Sequence, residues 1–291
     1  MAYLEEMRPK HWIKNILILL PMFFGNALGD AHIWLSVGIG FLIFCLLSSA
    51  VYYLNDLHDI EKDRNHPTKR NRPIASGRIS IPAARTITVV LVVASFGILI
   101  AAYLAGILHD PTAILIALFY FGVNVAYSLF SLKDVALLDV ALLAAGFWLR
   151  LAMGSAVSGI VTSDWLNLVV IAGAFFLGFG KRRGEMMNVK PGETRKVLQS
   201  YSMEFLDKAM YVCLTLALAF FALWCKEKGA SEHGLSYTIL VPFLLLICFR
   251  YCIRLERGKS DGDPTNVILS DKVLLGLTAA MGLVLLLLLY F

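Results

Sequence analysis

From Trp34 to Leu54 the sequence carries no charged side chain: "WLSVGIGFLIFCLLSSAVYYL". A helix of about 20 mostly apolar residues crosses the hydrocarbon core of a bilayer, and it satisfies its own backbone there. Runs of this kind recur along nearly the whole chain. Their spacing predicts spans at 14–30, 34–55, 85–106, 111–131, 135–157, 164–181, 207–225, 236–253 and 272–291. The expected fold class is an all-α integral membrane protein. It would be a bundle of about nine transmembrane helices, one domain over 1–291, with no soluble domain between the spans. Only 16% of the residues are charged, against about 25% in an ordinary globular chain.

The first run follows Lys10 and Lys14, as a secretory signal would. Pro21 and Phe23-Phe24-Gly25 inside it, and eight further spans behind it, favour a retained helix instead. With a cytoplasmic N-terminus, 23 of the 26 Lys and Arg fall on cytoplasmic ends and loops. Lys226 and Lys228 fall opposite, and Arg150 lies within a span. That bias predicts a multi-pass membrane protein whose polar site faces the cytoplasm. The net charge of +5 then reflects topology and site charge, and no nucleic acid is expected as a partner. The five cysteines lack metal-type spacing and read as small buried hydrophobes.

The most polar stretch, "NDLHDIEKDRNHPTKRNRP" at 55–73, directly follows the apolar run 34–55. A helix turns about 100° per residue. Relative to Asp56, Asp59 falls at about −60°, Asp63 at about −20° and Asn55 at about −100°, while Glu61 points away at about +140°. Three carboxylates on one face repel each other unless a cation sits between them. Oxygen ligands without His or Cys suggest Mg²⁺, held by Asp56, Asp59 and Asp63 and shared with substrate phosphates. The plainer reading is a solvated loop whose acids pair with Lys62 and Arg64. Against it, Lys69, Arg70, Arg72 and Arg78 follow at once, with His66 among them. Pro67 and Pro73 stiffen the chain, and Gly77 permits a turn. Acids for a metal beside Arg and Lys for phosphate suit a metal-bound diphosphate.

Asn55-Asp56-x-x-Asp59-x-x-x-Asp63, followed by "RPIASG" at 72–77, resembles the first aspartate-rich motif of the UbiA superfamily of intramembrane prenyltransferases. The resemblance extends over essentially the whole chain. It implies a UbiA-type bundle that binds a diphosphate through Mg²⁺ in a cytosol-facing cavity open to lipid. Ordinary members carry a second aspartate-rich motif after the sixth span. Here that span ends "FGKRRGEMMNVKPGETRK", with Lys181, Arg182 and Arg183 and, as the nearest acid, Glu185. With "RPKHWIKN" at 8–15, "HPTKRNRP" at 66–73, "YSLFSLKD" at 127–134 and "GKRRGE" at 180–185, the chain is most similar to the branch of decaprenyl-phosphate phosphoribosyltransferases. That branch joins phosphoribosyl diphosphate to a polyprenyl phosphate, releases pyrophosphate and feeds arabinan synthesis in the cell wall.

Carried over, Asp56, Asp59 and Asp63 would be the catalytic acids, holding Mg²⁺ on the pyrophosphate of the sugar donor with Asn55 as a helper. Lys69, Arg70 and Arg72 would neutralise the same group, and Lys181 and Arg182 would take the other phosphate or the lipid phosphate. Lys14, Tyr127, Lys133, Asp139 and Glu185 complete the substrate-binding set that the resemblance implies. From the residues alone, Arg8, Lys10 and Lys14 read equally as positive-inside anchors, and Tyr127 and Lys133 as interfacial ones. Asp139 lies in a span, where an unpaired carboxylate is costly. Gly146 and Arg150 share its stripe, but Arg150 is about 16 Å away along the helix and is expected to snorkel to the far interface. In "RLERGKSDGDPTN", Arg254, Lys259 and Asp261 read as a cytoplasmic turn or lid. Two other functions compete: prenyl transfer to an aromatic or other acceptor, and transport of phosphorylated metabolites. Transporters place binding charges near the midplane, whereas these cluster at one face. Oligomeric state stays open, a homo-oligomer included.

Overall fold

Helices begin where the sequence supplies caps. In the computed structural model, which describes residues 1–108, 110–188, 196–231, 236–257 and 264–290, the Asp30 carboxylate accepts from the backbone N–H of His32 and Ile33 at 2.8 and 3.2 Å and opens the helix Ala31–His58. Ser80 and Ser163 cap Ile81–Leu104 and Asp164–Met187 in the same way, and the Asp271 carboxylate caps Lys272–Tyr290. Each satisfies N–H groups that the first turn leaves without partners.

In chain order the helices are α1 (Ala2–Met7), α2 (Leu20–Phe24), α3 (Ala31–His58), α4 (Ile60–Arg64), α5 (Ile81–Leu104) and α6 (Thr112–Leu129). They continue with α7 (Leu138–Ser158), α8 (Asp164–Met187), α9 (Met203–Ser231), α10 (Leu240–Glu256), α11 (Pro264–Ser270) and α12 (Lys272–Tyr290). No strand occurs among the described residues. Eight helices among them are long and apolar enough to cross a membrane. The chain is a multi-pass, all-α membrane protein.

The expected first span, 14–30, is not one of the eight. Residues Pro9–Leu19 form a 3₁₀ helix that passes into α2 at Leu20. A 3₁₀ helix rises about 2.0 Å per residue against 1.5 Å in an α-helix, so Pro9 to Phe24 covers about 30 Å, the thickness of the hydrocarbon core. The segment runs antiparallel to α3, with Trp12 Nε1 donating to Ser49 Oγ at 3.2 Å and Asn15 Nδ2 to Cys45 Sγ at 3.3 Å. A tighter, longer-rise helix gives this segment the length expected of a longer α-helix. The sixth expected span, 164–181, also changes: α8 carries its basic end through to Met187.

The chain divides into two compact units, Met1–Val135 with Leu149–Val161, and Ala136–Trp148 with Thr162–Phe291. Each has its own core. In the first, Phe44, Leu47, Leu99, Tyr120 and Met153 pack around Ile18 and Met22. A Cβ on Gly154 would lie 2.2 Å from the Ile18 carbonyl oxygen, so only glycine lets α7 approach the 3₁₀ backbone so closely. In the second, Val140, Phe176, Phe179, Met210, Tyr251 and Leu274 cluster. Outward residues such as Val89, Val93, Leu115 and Phe119 are well exposed, as lipid-facing positions require. All five cysteines are free, with Cys45, Cys225 and Cys252 buried and Cys213 and Cys248 half-buried.

Candidate active site

In the first unit, α3 ends at His58 and α4 starts at Ile60, yet the helical register survives the break. The Asp59 N–H donates to Asn55 O at 2.9 Å, and the Asp63 N–H to Asp59 O at 2.8 Å. The acidic stripe expected from spacing therefore holds its alignment. Asp56 and Asp63 are buried, 3% and 2% exposed. Glu61 points outward and pairs with Arg64 at 3.1 Å.

Buried carboxylates need cationic partners. Arg8 Nη2 donates to both oxygens of Asp56, at 2.8 and 2.6 Å. Arg72 Nη1 lies 3.0 Å from Asp56 Oδ1 and 2.6 Å from Asp63 Oδ2. Two carboxylates thus converge on one cationic nitrogen, and a hard divalent cation fits that donor chemistry. Asp59 goes elsewhere: Lys133 Nζ donates to its two oxygens at 2.9 and 2.8 Å. Among the described residues no three His, Cys, Asp or Glu side chains converge as metal ligands. Of the expected set, Asp59 is held by Lys133 apart from the Asp56–Asp63 pair. Asn55 accepts from the Ser128 hydroxyl, which fixes its amide beside the acids.

Burial pushes the Asp63 carboxyl above its ordinary pKa against the opposing pull of Arg72. Burial, then repulsion from Arg72, pushes the Lys69 ammonium down, offset in part by Asp63. Glu6 on α1 is only 1% exposed, and its carboxyl group is hydrogen-bonded to that of Asp56. Burial and the adjoining Asp56 carboxylate push its pKa up to about 8, with Arg8 and Arg72 opposing.

The second unit holds another polar cluster. Arg182 is fully buried on α8, its Nε 2.6 Å from Asp139 Oδ2 and its Nη1 bonded to Glu185. The Tyr201 hydroxyl donates to Asp139 Oδ1 at 2.7 Å and accepts from the Leu137 N–H at 2.6 Å. Next to it, Arg183 donates to Asp207. Arg182, expected to receive a phosphate, stands between two carboxylates. Asp139 is a fully buried partner in an ion pair.

Lys14 is half-buried on the 3₁₀ helix, Tyr127 half-buried near the end of α6 and Lys181 half-buried on α8, while Arg70 is exposed. Gly77 makes the expected turn at φ +79°. The snorkelling expected of Arg150 is corrected. Its Nε donates to Asn15 Oδ1 at 2.7 Å and its Nη2 to the Tyr120 hydroxyl at 3.1 Å. The guanidinium lies over the Tyr120 and Phe44 rings at 5.1 and 5.9 Å. A polar, aromatic pocket in the first unit meets its needs, so it has no cause to reach for water. Arg254 pairs with Asp271 at 3.3 Å, while Lys259 and Asp261 lie outside the described residues.

Sequence reasoning missed Glu6, Ser128 and Tyr201, and read Arg8 as an anchor. Arg8 had a signal in "RPKHWIKN", where a cation precedes a stiff proline. Glu6 had none, because one short turn of helix does not declare which face packs.

The sequence profile of the UbiA prenyltransferase family matches residues 18–270. Decaprenyl-phosphate phosphoribosyltransferase of Corynebacterium glutamicum is 36% identical over 281 residues, covering 93% of this chain and 81% of that protein. The Mycobacterium tuberculosis protein of the same name is 32% identical over 277 residues, covering 93% and 88%. In fold, the chain is similar to a UbiA homologue of Archaeoglobus fulgidus bound to GPP and Mg²⁺, with a TM-score of 0.71, 17% identity and coverage of 98% and 99%.

Proposed function

The chain belongs to the UbiA prenyltransferase family, and from that premise we propose that it is a transferase moving 5-phosphoribose from phosphoribosyl diphosphate to a polyprenyl phosphate. The observation that carries the reading is the similarity, over 93% of the chain, to relatives named for phosphoribosyl transfer to decaprenyl phosphate. The cluster at the end of α3 supplies suitable chemistry, with paired acids and several Arg and Lys side chains together. The family profile runs through both compact units, which supports treating 1–291 as one UbiA-type domain.

Asp56 and Asp63 would hold Mg²⁺, with Asp59 joining once Lys133 is drawn to phosphate. When bound, the metal supplies Lewis-acid stabilisation of the departing pyrophosphate. Arg8, Arg72 and Lys69 would bind and orient the diphosphate through charge-assisted hydrogen bonds. The lipid phosphate oxygen forms the new bond to the sugar's C1 as the C1–O bond to pyrophosphate breaks, and the leaving group takes the electron pair. An anionic acceptor needs no side-chain nucleophile and no general base. The side chains contribute by positioning and electrostatics. The surplus of basic residues on one set of loops supports a cytoplasmic site in a bacterial plasma membrane, where a soluble sugar phosphate is available. The product would enter cell-wall arabinan synthesis.

Similarity in fold to a homologue bound to GPP favours prenyl transfer as the second reading. One experiment separates the two. Purified protein is given Mg²⁺ with either ribose-labelled phosphoribosyl diphosphate and polyprenyl phosphate, or labelled prenyl diphosphate and an aromatic acceptor. Ribose label should appear in the lipid fraction. Label transfer in the second mixture alone would replace phosphoribosyl transfer with prenyl transfer.

A further inference from the structure

Arg8 is held in a costly backbone conformation. It lies in the left-handed region, at φ 52° and ψ 60°, although it is not glycine and stands before Pro9, which steers its predecessor towards extended backbone. Such a conformation persists where its surroundings over-determine it. The Arg8 N–H donates to Glu5 O at 3.2 Å, and Arg8 O accepts from the His11 N–H at 2.9 Å. The Ser49 hydroxyl donates to Met7 O and the Tyr53 hydroxyl to Tyr3 O, each at 3.0 Å, which pins α1 to α3. The root of the Arg8 side chain is therefore fixed, and movement is left to the side chain itself.

That side chain has two resting places. One is Asp56, whose two oxygens receive Nη2 at 2.8 and 2.6 Å. The other is the Tyr52 ring, whose centroid lies 4.6 Å from the guanidinium carbon and against which His11 packs edge-on at 5.5 Å. A cation–π contact of this kind survives a change of partner at Asp56. Asp56 is engaged by Arg8, Arg72 and Glu6 together, so a metal ion that binds it has to displace a cation. Arg72 bridges Asp56 and Asp63 at 3.0 and 2.6 Å, and its departure would strand two buried acids. Arg8 serves Asp56 among these acids, and its side chain is 24% exposed against 4% for Asp56. Arg8 is the cation that leaves at least cost.

We propose that Arg8 is an exchangeable counter-ion. It covers Asp56 before the divalent ion binds, yields that carboxylate to the ion, and turns on the Tyr52 ring to meet the diphosphate that accompanies the ion. The proposal rests on the reading of this cluster as a metal-diphosphate site, and it makes Tyr52 a positioning residue for Arg8.

The test uses full-length protein in detergent with two readouts. One is Mn²⁺ affinity without pyrophosphate, from the free-Mn²⁺ electron paramagnetic resonance signal; the other is retention of labelled inorganic pyrophosphate at saturating Mn²⁺. Arg8→Gln removes the competitor and should bind Mn²⁺ about 10- to 100-fold more tightly, the scale of one hydrogen bond to a charged group. For pyrophosphate the sign reverses, and the same variant should bind it about 10- to 100-fold more weakly. Tyr52→Leu keeps the Asp56 contact, so Mn²⁺ affinity should stay at the wild-type level while pyrophosphate binding weakens about 3- to 10-fold. That variant decides the matter if Arg8→Gln does not fold: wild-type pyrophosphate binding in it overturns the proposal. Lys62→Gln removes an exposed cation from the same polar segment. Equal tightening of Mn²⁺ there would reduce the Arg8 effect to long-range charge and sink the exchange. If wild type takes up both probes and Arg8→Gln binds Mn²⁺ no more tightly, Arg8 is a fixed partner and the exchange alone falls. If neither protein takes up either probe, the metal reading of the cluster fails and the exchange fails with it.

Discussion

Asp63 and Glu61 are two residues apart and have opposite fates. Asp63 is buried against Arg72, whereas Glu61 is exposed and pairs with Arg64. Asp63→Asn should therefore lower turnover by about 10²-fold or more, the scale of losing one preorganised charge-stabilising group. Glu61→Gln should leave turnover near wild type in membrane-inserted protein. Equal losses in steady-state assays would dissolve the distinction between the two faces. Arg182 poses a different question. Truncating one member of a buried ion pair strands the other, at about 3–5 kcal/mol. Arg182→Ala should leave Asp139 buried without its partner and lower the melting temperature markedly, while half-buried Lys181→Ala should not. A normal melting temperature with a raised KM for either substrate would instead return Arg182 to phosphate binding.

At the scale of elements, the first span is the departure from expectation. The run 14–30 has the length of an α-helix, but Pro9 and Pro21 bracket a 3₁₀ segment that trades hydrogen-bond quality for rise. Its close fit to α7 depends on Gly154, where a methyl group would collide with the Ile18 carbonyl oxygen. Backbone cannot yield as a flexible side chain does. Gly154→Ala should therefore destabilise by about 1–3 kcal/mol or more through overpacking, read as a lower melting temperature in detergent. A gain in stability from improved helix propensity would show that the two segments separate freely.

For the whole molecule, sidedness decides whether a soluble donor meets the site at all. Asn65 lies on the exposed turn after α4, within the same polar segment as the acids. A single cysteine at Asn65 should react in intact cells only with thiol reagents that cross the membrane. A cysteine at Lys190, in a segment outside the described residues, should behave in the same way. Labelling of either position from outside by an impermeant reagent would invert the topology and remove the cytoplasmic donor from the mechanism.

The apolar runs, the basic bias of one set of loops and the acid-then-base order of residues 55–73 are local properties. The sequence determined them by itself, because helix length and side-chain spacing need no knowledge of distant neighbours. It also placed Asp56 and Asp63 on one face, since four-residue hydrogen bonds carry the register across the break at Asp59. Tertiary structure decided the partners. Lys133 draws Asp59 aside from 74 residues away, Asp139 and Tyr201 seal Arg182, and Asn15 and Tyr120 hold Arg150. Glu6 enters the site only because α1 is pinned against α3. A buried charge takes whatever partner folding brings within about 3 Å, and no spacing rule along the chain encodes that choice.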